Sequence, residues 1–294
     1  MDDYIYRICS FLGTHLPLPF LYFLGNVMAR LKYIFIYSVR RNVRLNARII
    51  LEWRKRKKGI DYTEKDLARI VRETYRNFSR YLADFFNVPR WDACRIKEKV
   101  RIEDIGLLDE GLSAGKGVVA LTAHIGNWEL AGIVASILGY EVTAVAIPYL
   151  SPAVTRIYRK RRNSKGVEVL LTGSSPKGPL RALKENRILA VLGDKVFTEK
   201  GIKTPFLGVE TLLPRGPATL AAKTGAFFTA GFFIMEKNGY RFFFRKISLP
   251  PSLKEEEEKI NYLFTRGSEI IEDVILEYPS QWLNFSPVIA GNDF

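Results

Sequence analysis

From residue 117 onward, short apolar runs alternate with stretches in which apolar positions recur every three or four residues. "VVALTA" (118–123), "VTAVAI" (142–147), "VEVLL" (167–171) and "ILAVLGD" (188–194) have the length and β-branched content of buried strands. Between them, "WELAGIVASILG" (128–139), "SPAVTRIYRKRRNSKG" (151–166) and "PLRALKEN" (179–186) show helical spacing. Ser151 is a cap, Pro152 the first helical residue and Gly139 a stop. Further on, "GPATLAAKTG" (216–225) is helical, and "AFFTAGFFIM" (226–235) and "YRFFFRKI" (240–247) are strands paired through "EKNG". Residues 255–278 form a last helix. Strands alternating with helices predict an α/β fold, with a mainly parallel central sheet covered by helices on both faces.

The chain before residue 117 reads differently. "YTEKDLARIVRETYRNFSRYLADFF" (62–86) is one amphipathic helix, opened by Thr63 and Asp66 and carrying Leu67, Ile70, Val71, Phe78, Leu82 and Phe85 on its apolar face. Ahead of it, residues 16–39 are strongly apolar, and Leu16 to Ala29 carry no charge. That run is short of the ~20 residues a spanning helix needs. Asp2 and Asp3 precede it and no small-residue cleavage site follows, so a secretory signal is not expected. Residues 40–58 are basic, with Val43, Leu45, Ile49, Ile50, Leu51 and Trp53 interleaved.

Charge sharpens this division. The 294 residues carry a formal net charge of +14, of which residues 1–60 contribute +9, from 12 Lys/Arg and 3 Asp/Glu. An apolar stretch beside a basic one suits an N-terminal segment, residues 1–58, that lies on a membrane surface, followed by an α/β catalytic domain over 59–294. A buried helix followed by a solvated basic helix is the plainer alternative. Nucleic-acid binding would also use such charge, but no nucleic-acid motif is present. Two cysteines give no disulfide framework, and two histidines exclude a histidine-rich metal site. "GLSAGKG" (111–117) has the wrong glycine spacing for a phosphate-binding loop and reads as a turn into a strand.

Candidate chemistry centres on "LTAHIGNWEL" (121–130). His124 follows a strand and precedes a helix, the position at which open α/β sheets bind ligands. Glu129 lies five residues on, roughly 140° away on an ideal helix. The two meet only if the backbone bends at Gly126 and Asn127. A carboxylate on one imidazole nitrogen would leave the other as a general base. No GxSxG elbow accompanies the histidine, so the nucleophile is expected to be a hydroxyl of the substrate. Asn127 is expected to support the turn or to donate to substrate. Asp194, ending a strand beside the first, is expected to touch His124 or the acceptor.

"AHIGNWEL" resembles the His–four residues–acid box of glycerolipid-type acyltransferases, and more narrowly that of the bacterial lipid A late-acyltransferase family, with Ile125 where that family has phenylalanine. "RNSKGVEVL" (162–170) resembles the family's arginine–glycine block, and residues 192–226 resemble its acidic residue and Phe-Phe-Gly region. "YPSQWLNF" (278–285) resembles its C-terminal Gln-Trp-x-x-x-His-x-Arg, from which Asn284, Ser286 and Pro287 depart. The resemblance runs through residues 20 to 285. It implies a fatty acyl group moved from an acyl carrier protein or coenzyme A thioester to a hydroxyl of a membrane glycolipid such as a lipid A precursor, with a phosphatidylinositol mannoside or a glycerophospholipid as the alternative acceptor. A catalytically inactive membrane- or nucleic-acid-binding protein is the alternative of another class. The site would sit at the cytoplasmic face of the inner membrane and need neither metal nor cofactor. In that scheme His124 is the base, Glu129 orients it, and Arg162 serves an oxyanion or an acceptor phosphate.

Overall fold

The computed structural model describes residues 2–149, 151–172, 177–196 and 201–289, with side chains from residue 6 onward. Four helices come first: α1 (Asp2–His15), α2 (Leu18–Phe35), α3 (Tyr37–Lys58) and α4 (Glu64–Phe86). The expected start of α4 is a full capping box, in which Thr63 Oγ1 accepts from Asp66 N and the Asp66 side chain accepts from Thr63 N. Then follow α5 (Ala93–Lys99), β1 (Val100–Glu103), α6 (Gly106–Ser113), β2 (Val118–Thr122), α7 (Trp128–Ile137), β3 (Val142–Ala146) and α8 (Pro152–Asn163). The chain continues through β4 (Glu168–Leu171), α9 (Lys177–Lys184), β5 (Ile188–Leu192), β6 (Ile202–Phe206), β7 (Val209–Leu213), α10 (Gly216–Thr224), β8 (Phe227–Glu236), β9 (Gly239–Lys246) and α11 (Glu256–Glu277).

Seven strands form one sheet in the order β1-β9-β8-β2-β5-β3-β4. All neighbours are parallel except β8 and β9, the hairpin expected from the sequence. Alternate residues feed opposite faces. Val119, Leu121, Phe228, Phe232 and Ile234 enter a core closed by α9, α10 and α11, while Val118, Phe233, Met235, Phe242 and Phe244 enter one closed by α4 to α8. Two layers of helix therefore sandwich the sheet, as the alternating pattern implied.

Two features escaped the sequence. One is the β6–β7 hairpin, whose turn is Leu207–Gly208 with φ of 53° and 74°. A left-handed leucine is not a hairpin signal. It is held there by burial and by its N–H, which donates to the Glu272 carboxylate at 2.5 Å. The other is the short edge strand β1, preceded directly by α5.

At the N-terminus, α3 is not a solvated basic helix throughout. Val43, Ala47 and Leu51 pack with Leu67, Ile70, Val71 and Tyr75 of α4, and Ile49 and Ile50 reach the main core. The helix α2 is fixed to α4 through Tyr22, whose hydroxyl donates to Asp84 at 2.5 Å. Its other side is bare: Phe20, Phe23, Leu31, Ile34 and Phe35 are exposed, the last to 76%. Among the described residues no helix is long and apolar enough to cross a membrane.

Candidate active site

At the end of β2 the chain must leave the sheet and enter α7 within a few residues. Gly126 makes that possible. Its φ is +63°, and a Cβ there would lie 2.1 Å from the Phe233 carbonyl oxygen, so the turn is pressed directly onto β8. Asn127 N donates to that same carbonyl at 2.8 Å. The Asn127 side chain then caps α7, accepting from Leu130 N at 3.2 Å, and its amide reaches Asp84 at 3.5 Å. The residue is wholly buried, so of the two roles expected for it the structure shows support of the turn.

His124 is brought out of this turn with its side chain 18% exposed. Its Nδ1 lies 2.9 Å from Oδ1 of Asp194. Register explains the meeting. Thr122 of β2 pairs with Leu192 of β5, and His124 and Asp194 each stand two residues beyond that pair, side by side at the carboxyl ends of adjacent parallel strands. Oδ2 of Asp194 accepts from the indole Nε1 of Trp282 at 2.7 Å. Burial pushes Asp194 up, but the charge of His124 and the bonds from His124 and Trp282 outweigh it and hold the carboxyl below its ordinary value. An ionised carboxylate only accepts, which assigns the Nδ1 proton to the ring and the lone pair of the neutral imidazole to Nε2. The ring of His124 also packs edge-on against Trp128, with centroids 5.0 Å apart.

The expected orienting role of Glu129 requires correction. Both its oxygens are taken by Arg162: Nε donates to Oε2 at 2.7 Å and one Nη to Oε1 at 2.5 Å. The bend at Gly126 and Asn127 exists, but the Glu129 carboxylate that follows it is engaged by Arg162 of α8. Arg162 is corrected with it. It was expected to serve an oxyanion or an acceptor phosphate, and its guanidinium is instead engaged within the protein. It is a buried guanidinium joined two-pronged to a buried carboxylate, tying the first turn of α7 to the last of α8.

Three residues of this region were missed as site members. Trp282 was legible only as half of a Gln-Trp pair, with no sign that its indole reaches Asp194. Asp84 was legible as one acid inside the apolar stripe of α4. Burial pushes its carboxyl up, while Tyr22, Tyr240 and Arg80 act in the other direction. Lys195 directly follows Asp194 and donates to Ser286 Oγ at 2.7 Å. Burial lowers its proton affinity, against the pull of Asp194.

Residues 1–288 match the family model described as bacterial lipid A biosynthesis acyltransferase, and the chain belongs to that family. It is 30% identical over 184 residues to a phosphatidylinositol mannoside acyltransferase of Mycolicibacterium smegmatis, covering 57% of this chain and 60% of that protein. It is 27% identical over 186 residues to the protein of the same name from Mycobacterium tuberculosis, covering 57% and 59%. The matched part thus spans about three fifths of the length of these relatives.

Proposed function

We propose that this member of the lipid A biosynthesis acyltransferase family moves a fatty acyl group from a thioester, on an acyl carrier protein or coenzyme A, to a hydroxyl of a membrane glycolipid. One observation carries the reading: a half-buried imidazole at the carboxyl end of the sheet, with a buried, ionised carboxylate on its Nδ1. Nε2 takes the proton of the acceptor hydroxyl as that oxygen attacks the thioester carbonyl carbon. The tetrahedral intermediate collapses, the C–S bond breaks, and the imidazolium returns the proton to the departing thiolate. Asp194 stabilises the imidazolium in between. Asn127 and the Glu129–Arg162 pair hold the turn and touch neither proton.

The acceptor has two readings, each a glycolipid. The family description supports a lipid A precursor, and the names of the relatives support a mannosylated phosphatidylinositol. The exposed apolar side of α2, continued by Ile8 and Phe11 of α1 and neighboured in sequence by Arg30, Lys32, Arg40 and Arg41, supports docking on the cytoplasmic face of the inner membrane. An enzyme resting there reaches an acceptor without extracting it, which would cost about 0.8 kcal/mol per CH₂ exposed.

Purified protein incubated with an acyl thioester and either acceptor, followed by mass spectrometry of the lipids, tests the reading. One acceptor should gain the mass of the fatty acid less water. His124→Ala should lower the rate by about 10²–10⁴-fold without unfolding the protein. Acylation at the native rate by that variant would overturn the role of His124, and failure with both acceptors would overturn the substrate class.

A further inference from the structure

The chain after α11 turns back and runs along the turn that carries His124. Gly126 N donates to the Gln281 carbonyl at 2.9 Å, and Leu283 N donates to the His124 carbonyl at 2.7 Å. Ile125 and Trp282 face each other between these bonds as an antiparallel bridge. The Gln281 amide is locked in turn to β8, accepting from Met235 N at 2.8 Å and donating to Met235 O at 2.9 Å. The turn is thus clasped between β8 on one side and residues 281–283 on the other. The middle residue of the clasp, Trp282, is 2% exposed, and its one polar atom points at the second oxygen of the carboxylate that holds the imidazole.

A buried indole needs an acceptor, and a backbone carbonyl would serve it as well. The acceptor it has is the Asp194 carboxylate, which also bonds His124. We propose that Trp282 is a positioning residue of the acyl-transfer site, acting through Asp194 to fix where the carboxylate lies and how strongly it draws on the Nδ1 proton of His124. The assignment rests on His124 as the base proposed above. With the N–H of Trp282 in place, Asp194 shares its charge between two donors and pulls moderately on the imidazole. Without it, Asp194 becomes the stronger base, the imidazole binds its Nε2 proton more tightly, and the neutral, active ring is reached at higher pH. Among the described residues Lys195 also interacts with Asp194, whose charge raises the proton affinity of that lysine against its burial. Glu129 and Arg162 satisfy each other.

Trp282→Phe keeps an aromatic ring and removes the donor. Its acid limb in the pH profile of kcat/KM should move up by about half a pH unit, with kcat near neutrality down about tenfold and KM for both substrates unchanged. Leu283→Ala, which trims the same clasp without touching a polar atom, should lower the melting temperature and leave the limb in place. An acid limb that stays put in Trp282→Phe, or moves equally in Leu283→Ala, overturns the proposal. Should Trp282→Phe not fold, NMR of the indole N–H groups decides it. In a Trp128→Phe background, which removes the other indole against His124, an indole proton should titrate with the midpoint of the acid limb. Indole resonances flat across that range overturn it. Loss of activity in His124→Ala with an unmoved limb in Trp282→Phe would sink this inference alone. Retained activity in His124→Ala would sink the reading beneath it.

Discussion

Of the buried carboxylates around the turn at residues 124–129, Asp194 and Glu129 have partners that differ in kind. Asp194 holds an imidazole, whose other nitrogen has a lone pair that can take up a proton. Glu129 holds a guanidinium. Burial works against the charge of Arg162, but Glu129 more than restores it, so that arginine stays charged at any working pH. A proton can move only in the first pair. The second has the two-pronged geometry of a strut: it joins α7 to α8, and its two members are spent on each other. Chain proximity favoured the wrong partner. Five residues separate Glu129 from His124 and seventy separate Asp194, yet the parallel register of β2 and β5 sets the latter contact at 2.9 Å.

The sharpest way to break this contrast is to neutralise one carboxylate at a time. Asp194→Asn retains shape and one acceptor but places an NH₂ where the second oxygen was. It cannot accept from both Trp282 and the imidazole, so either the indole is stranded or the ring takes the other tautomer, with a proton on Nε2. We expect kcat for acyl transfer to fall by about 10²–10⁴-fold, with circular dichroism unchanged. A variant within twofold of the native rate would make the two pairs equivalent.

Glu129→Gln should show the opposite profile. It leaves Arg162 buried with its charge uncompensated, and breaking such a pair costs about 3–5 kcal/mol of stability. Urea unfolding should report that loss. The rate per folded molecule, measured well below the melting temperature, should stay within about tenfold of native, since no proton in the reaction passes through Glu129. A variant as stable as the native protein but as inactive as Asp194→Asn would return Glu129 to the chemistry.

How far the sequence carried can be judged at particular residues. Short apolar runs and capping residues placed the strands from β2 to β5 and the starts of α4 and α8, because those signals are local. The bend before α7 was legible because Gly126 and Asn127 are themselves the bend. Partner choice was legible in part: Asp194, ending a strand beside the first, was expected to touch His124 or the acceptor, but that it takes the place expected for Glu129 depends on register, since both residues stand two positions past a paired one of β2 and β5. A strand-ending acid and a strand-ending histidine on adjacent parallel strands were the available clue. Trp282 was harder still. Its contact depends on a segment that returns from the far end of the chain, and no periodicity encodes it. The Leu207–Gly208 turn was hidden for a third reason: tertiary burial and the Glu272 carboxylate impose a backbone conformation that leucine does not seek by itself.

The smallest expected effect tests the proton assignment on which the contrast rests. Burial alone would push the Asp194 carboxyl up, but the charge of His124 and the bonds from His124 and Trp282 bring it below its ordinary value of 3.8. A carboxyl depressed on folding contributes stability above its ordinary value, and that contribution is lost as pH falls through the folded one. Each unit of depression is worth about 1.4 kcal/mol. The asparagine of the Asp194→Asn variant has no carboxyl to titrate and so makes no such contribution. The gap in unfolding free energy between the native protein and that variant should therefore narrow as pH falls below about 4. Urea titrations across that acidic range measure it, and groups that do not touch Asp194 cancel because the two proteins share them. A gap that does not narrow would mean that Asp194 is not held ionised by the fold. The proton between Asp194 and Nδ1 would then be unassigned, and Asp194 would lose what separates it from Glu129.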